Sequence, residues 1–184
     1  MAGARDRVLD SYETLLIEKG VGAVTLDAVA AAAQVSKGGL LYHFASKDAL
    51  AEGLLARLRA RSDADAQAIR SAPEGSVEYY VRTSAPGHAS RGLARTYLAA
   101  LRLADDSPSG RAARAALAAV DADGYAALCD DLGDPVLALL AQLIGDGLYL
   151  RTLAGTPLPP DLPVEQLLER MREIAGRGPG SRTP

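Results

Sequence analysis

The sequence predicts an all-α chain of about nine helices, and three observations carry that prediction. Apolar residues recur at three- and four-residue spacing over most of the 184 positions. Ser, Thr and Asp stand where helices would begin, while Gly and Pro gather where they would end. No useful length of apolar/polar alternation is present, so no strand is expected.

Each element follows from local chemistry. Between Asp6 and Lys19 the residues Val8, Tyr12, Leu15 and Leu16 fall on one helical face, and Gly20 with Gly22 ends the run. Thr25 can cap a short helix from Leu26 to about Ala33, with Asp27 favourable in its first turn. Ser36 caps a third helix reaching Phe44. Ser46 caps a fourth whose stripe is Leu50, Leu54 and Leu58, extending to about Ala72 before Pro73 and Gly75 interrupt. Further helices are expected near 76–84, 89–104, 109–132, 134–154 and 163–176, separated by breaks at Pro86-Gly87, Pro108, Pro135 and Pro157 to Pro160. The segment 134–154 is apolar nearly all round and is expected to be buried on most sides. The last helix carries the stripe Val164, Leu167, Leu168, Met171 and Ile174. Residues 177–184 are expected to be a disordered tail.

Composition narrows the function. Hydrophobic residues make up 48% and charged residues 23%, the balance of a soluble globular protein. One cysteine, Cys129, excludes an intramolecular disulfide framework and is read as a small buried hydrophobe. No apolar stretch follows Arg5 and Arg7 and none is long enough to span a membrane, so a cytoplasmic protein is expected. His43 and His88 lack triad or ligand partners, and the pairs Asp105/Asp106 and Asp130/Asp131 read as solvated helix ends. No phosphate-binding glycine loop is present. No catalytic residue, metal or cofactor is expected.

The charge is uneven. A net charge of −3 divides into +1 for residues 1–62 and −4 for the remainder, and all three lysines (Lys19, Lys37, Lys47) lie in the first 47 residues. A mildly acidic chain can still bind nucleic acid when its cations share one face.

The informative stretch is Thr25 to Phe44. Two short helices joined at Gln34-Val35 form a helix-turn-helix, with Ala30 permitting close approach and Val29, Val35 and Leu40 filling the wedge. The second helix presents Lys37, Gly38, Gly39, Tyr42 and His43, the placement that puts a recognition helix in the major groove of duplex DNA. Lys47 adds a cation beside backbone N–H groups that favour phosphate. Tyr42 and His43 could instead be packing residues. Phe44, Leu40 and Leu50 read as core.

With Val35-Ser36-Lys37-Gly38-Gly39-Leu40-Leu41-Tyr42-His43-Phe44 followed by Ser46-Lys47-Asp48-Ala49-Leu50, residues 5–60 resemble the TetR family of bacterial transcriptional regulators. The resemblance implies that Lys37 and Gly38 lie nearest the bases, while Thr25, Ser36, Tyr42, His43 and Lys47 contact phosphates. Three positions depart from the family pattern. Gln34 stands where Gly is usual, requiring a left-handed residue or an altered turn. Leu41 replaces a common Tyr. Gly39 offers no side chain, so specificity leans on backbone approach, Lys37 and DNA shape.

The resemblance also implies a helix-turn-helix domain in residues 1–47 and a ligand-binding and dimerisation domain in 48–176, linked by the fourth helix. Its partners would be a double-stranded DNA operator, a largely apolar small-molecule effector, and a second copy docked through 134–154 and 163–176. Gly145 and Gly147 would allow close approach there. Tyr97, Tyr125 and Tyr149 could line an effector cavity. The expected function is a ligand-responsive regulator, most simply a repressor. The other reading is a helical ligand-binding or protein-interaction module whose helix-turn-helix does not act on DNA, which Gln34 and Leu41 would favour.

Overall fold

A computed structural model describes residues 3–85, 91–156, 158–159 and 163–176. Among the described residues all regular structure is helical. The elements are α1 (Ala4–Lys19), a 3-10 turn (Val21–Ala23), α2 (Leu26–Ala32), α3 (Lys37–His43), α4 (Lys47–Ser71) and α5 (Ser76–Ser84), then α6 (Arg91–Leu103), α7 (Pro108–Leu132), α8 (Pro135–Ala154) and α9 (Val164–Gly176). The expected caps form: Thr25, Ser36 and Ser46 hydroxyl oxygens accept from the N–H groups of Ala28, Gly39 and Ala49 at 3.1, 3.0 and 3.1 Å. The proposed tail and His88 lie outside the described residues.

Two compact units emerge, Met1–Asp63 with Arg91–Asp121, and Ala64–Ser90 with Ala122–Pro184. In the first, α1 packs on α2, α3 and α6. Val8, Leu9, Tyr12, Leu15 and Leu16 of α1 meet Val29, Leu40, Phe44, Leu50 and Leu54 in one buried cluster. Fully burying each such large side chain contributes about 1.5–3 kcal/mol. Gly53 is required where α4 approaches this cluster, because a Cβ there would lie 2.6 Å from Phe44 Cε1. Burial pushes the Tyr12 phenol up to about 12, with Asp48 adding to the effect.

An ionic cluster sits inside the same unit. Glu13 is 1% exposed on α1, and its Oε1 accepts from Thr96 Oγ1 at 2.8 Å and Arg57 Nη1 at 3.2 Å. Arg61 lies 3.5 Å from Oε1, and Arg95 Nε 3.4 Å from Oε2. Arg57 also bonds Asp10 at 2.6 Å and Asp6 at 3.0 Å, while Arg61 donates to the Gly92 carbonyl at 2.7 Å. One buried carboxylate thus gathers cations from α4 and α6 onto α1.

In the second unit α5 lies along α8, and Ala127, Leu128, Ala138 and Ala141 share a cluster with Ile69. Helix α8 corrects the expectation of burial on most sides. It turns Ala138, Ala141 and Leu148 inward, yet Val136, Leu139, Leu140, Leu143 and Leu150 remain exposed. Ala138 and Ala141 face neighbours, while most of its large apolar residues face outward. Gly145 packs within the chain rather than waiting for a second copy: a Cβ there would lie 2.7 Å from Tyr80 Cδ1. Gly147 faces open space. Ile174 likewise leaves the buried stripe of α9 and is exposed. Cys129 is half-buried beside Tyr125 rather than fully enclosed.

The acidic pairs have structural partners. Asp131 accepts from the Ser76 N–H at 3.1 Å and Asp130 pairs with Arg70 at 2.8 Å. Asp105 accepts from the Ser107 N–H at 2.9 Å, and Asp106 pairs with Arg114 at 3.2 Å.

Candidate nucleic-acid interface

The turn between α2 and α3 is tight because Gln34 adopts φ 54°, so the usual glycine is replaced without abandoning the left-handed conformation. Such a residue costs roughly 1–2 kcal/mol. The Val35 N–H closes the turn on the Ala30 carbonyl at 3.1 Å. Val29 and Leu40 are fully buried and Val35 is half-buried, filling the wedge. With those positions spent on packing, the other face of α3 is left for a partner.

Thr25, Ser36, Lys37, Gly38, Gly39, Tyr42, His43 and Lys47 are all exposed. Tyr42 is 86% exposed, which decides against a packing role. Its ring meets His43 edge-on with centroids 5.1 Å apart. Because the Thr25 and Ser36 oxygens accept from backbone, their O–H groups keep the donor that a phosphate oxygen requires. Gly38 has no atom within 4 Å of a would-be Cβ, so its bare surface is not imposed by packing. Lys37 Nζ contacts Asp27 Oδ1 at 3.0 Å and Oδ2 at 3.2 Å. No sequence pattern singles out Arg5, whose guanidinium lies 5.3 Å from the centroid of the Phe44 ring that ends α3.

The three tyrosines considered for a cavity do not share a unit. Tyr97 belongs to the first, packed near Leu58, Ala100 and Leu117, and donates to Asp121 at 3.4 Å. Tyr125 and Tyr149 belong to the second, where Tyr125 donates to the Pro135 carbonyl at 3.4 Å. Two further phenols there went unread in the sequence. Tyr80 donates to Asp146 at 2.9 Å, and Tyr79 hydrogen-bonds Asp65, whose carboxyl is raised by burial against the lowering effect of that bond. Among the described residues no group of three or more His, Cys, Asp or Glu is placed to hold a metal ion, and no helix is long and apolar enough to cross a membrane.

Two short helices at a tight turn, with the second exposed from its first residue, define a helix-turn-helix DNA-binding domain. Residues 8–54 match the family model described as bacterial regulatory proteins, tetR family. In this N-terminal stretch the chain is similar to the tetR family of bacterial regulatory proteins. No curated protein matches the sequence. Solved structures resemble it over nearly its whole length. The multidrug binding protein EbrR complexed with malachite green is 28% identical, with 94% of this chain and 96% of that one covered and a TM-score of 0.61. A TetR-family member from Streptomyces coelicolor A3 is 26% identical, covering 96% and 98%, with a TM-score of 0.56. NalD of Pseudomonas aeruginosa, the secondary repressor of the MexAB-OprM multidrug efflux pump, shares the fold at 21% identity, covering 92% and 95%, with a TM-score of 0.56.

Proposed function

We propose that the protein is a cytoplasmic, ligand-responsive repressor that binds a near-palindromic operator as a homodimer and is released by a small, largely apolar molecule. The exposed edge formed by Thr25, Ser36, Lys37, Gly38, Tyr42, His43 and Lys47 carries this reading. Lys37 and Gly38 are nearest the bases. Gly39 lets the backbone approach, and the remaining groups hold phosphates and fix register. Residues 1–47 form the reading domain and 48–176 the regulatory body.

Dimerisation is supported by the outward face of α8. Val136, Leu139, Leu140, Leu143 and Leu150 recur at helical spacing and stay exposed in the single chain, and Ile174 of α9 is exposed too. A two-fold mate covering that face would give a dimer with one recognition helix from each copy, matching a two-fold operator. A largely apolar effector is supported by the similar EbrR, a multidrug binding protein seen with ethidium and with malachite green. In this chain Tyr125 and Tyr149, which share the second unit, are the candidate lining residues. An effector that binds the non-DNA conformation more tightly depopulates the DNA-competent one.

A gel shift against DNA upstream of the protein's own gene tests the reading. The wild type should retard that duplex at concentrations that leave an unrelated duplex free. Lys47→Ala should flatten the log–log salt slope by about one. Equal retardation of both duplexes by the wild type would refute sequence-specific regulation.

A further inference from the structure

Residues 25–44 carry two formal charges besides His43, Asp27 and Lys37, and these two are paired across the turn. The ammonium touches both carboxylate oxygens, at 3.0 and 3.2 Å, although both side chains remain more than half exposed. The fold does not depend on this bridge. Buried Val29, Ala30 and Leu40, the Val35–Ala30 backbone bond and the Thr25 and Ser36 caps already fix α2 against α3. An exposed Lys–Asp pair adds little stability. Its effect falls on what meets that surface, because it cancels the charge at the first residue of the reading helix.

Resting on the DNA-binding reading, we infer that Asp27 is a discrimination residue: it holds the Lys37 ammonium away from indiscriminate phosphate contact until a base-edge acceptor replaces it. On random DNA the paired lysine releases no counterion and gains little. On the operator, an acceptor pair such as guanine O6 and N7 takes the place of the carboxylate. Non-specific affinity is lowered more than specific affinity, so the ratio that governs site selection rises.

The test is a double-mutant cycle of Asp27→Asn and Lys37→Ala. Binding is measured against salt on a random-sequence duplex and on a duplex enriched from a random pool by the wild type. Asp27→Asn should steepen the random-duplex slope by about one and tighten that binding about 8-fold at 0.1 M salt, as one extra released counterion requires. The enriched duplex should gain less, and in the Lys37→Ala background the substitution should leave the slope unchanged. Equal gains on both duplexes, no gain on either, or the same gain without Lys37 would each overturn the inference. A wild type that enriches no sequence would overturn the DNA-binding reading instead, and Asp27's role with it.

Discussion

Replacing Glu13 by Ala should be the most damaging single change at a charged position of the first unit. The carboxylate is 1% exposed and meets Arg57, Arg61, Arg95 and Thr96. Breaking a buried ion pair by removing one partner costs about 3–5 kcal/mol, because the other charge stays enclosed. Not every partner is stranded here. Arg57 keeps Asp6 and Asp10, and Arg95 is 44% exposed and can hydrate. The uncompensated charge is mainly that of Arg61, which retains the Gly92 carbonyl. The loss should therefore sit near the lower end, at about 3 kcal/mol. For a chain of this size that lowers Tm by roughly 6–12 °C. Glu13→Gln keeps an acceptor for Thr96 and should fall between wild type and Glu13→Ala. Thermal unfolding followed by circular dichroism reads the effect. A Glu13→Ala variant melting within about 2 °C of wild type would refute the assignment of Glu13 as the electrostatic centre of α1, α4 and α6.

Three further outcomes follow from other sites. Gln34→Gly should raise stability by about 1 kcal/mol, since glycine accepts the φ of 54° without strain; a lower Tm would contradict that turn geometry. Leu143→Glu should leave the helical spectrum unchanged but yield a monomer in sedimentation, because Leu143 is exposed on α8; an unchanged mass would place the interface elsewhere. Asp65→Asn should stabilise the protein at neutral pH. Burial raises the native Asp65 titration above that of the unfolded chain, so between those midpoints the native state binds more protons and stability falls as pH rises. The variant's advantage should shrink as pH falls towards about 4, and a constant advantage would refute the burial effect.

The helix order was readable because its signals are local. Thr25, Ser36 and Ser46 announce helix starts through their own hydroxyl groups, and Val8, Leu50 and Leu54 mark buried faces by spacing alone. The helix-turn-helix was readable for the same reason, although the sequence left Gln34 open between a left-handed residue and an altered turn, and the φ of 54° decides for the former. Long-range pairings were not. Nothing in spacing links Glu13 to Arg57, Arg61 and Arg95, although a carboxylate on an apolar stripe was a signal that could have been followed. Lys37 and Asp27 look independent in the sequence and are joined by the turn. Helix α8 misled because an apolar circumference does not say which side its own chain covers. Gly145 looked like an interface residue, whereas the ring of Tyr80 occupies the space above it.

Selection of duplexes from a random pool by the full-length wild-type protein tests the central claim most directly. The account predicts enrichment of an inverted repeat whose half-sites lie near a whole number of helical turns apart, with enrichment weakened by Lys37→Ala. A pool that stays random, although the protein is folded and retains DNA at low salt, would contradict it.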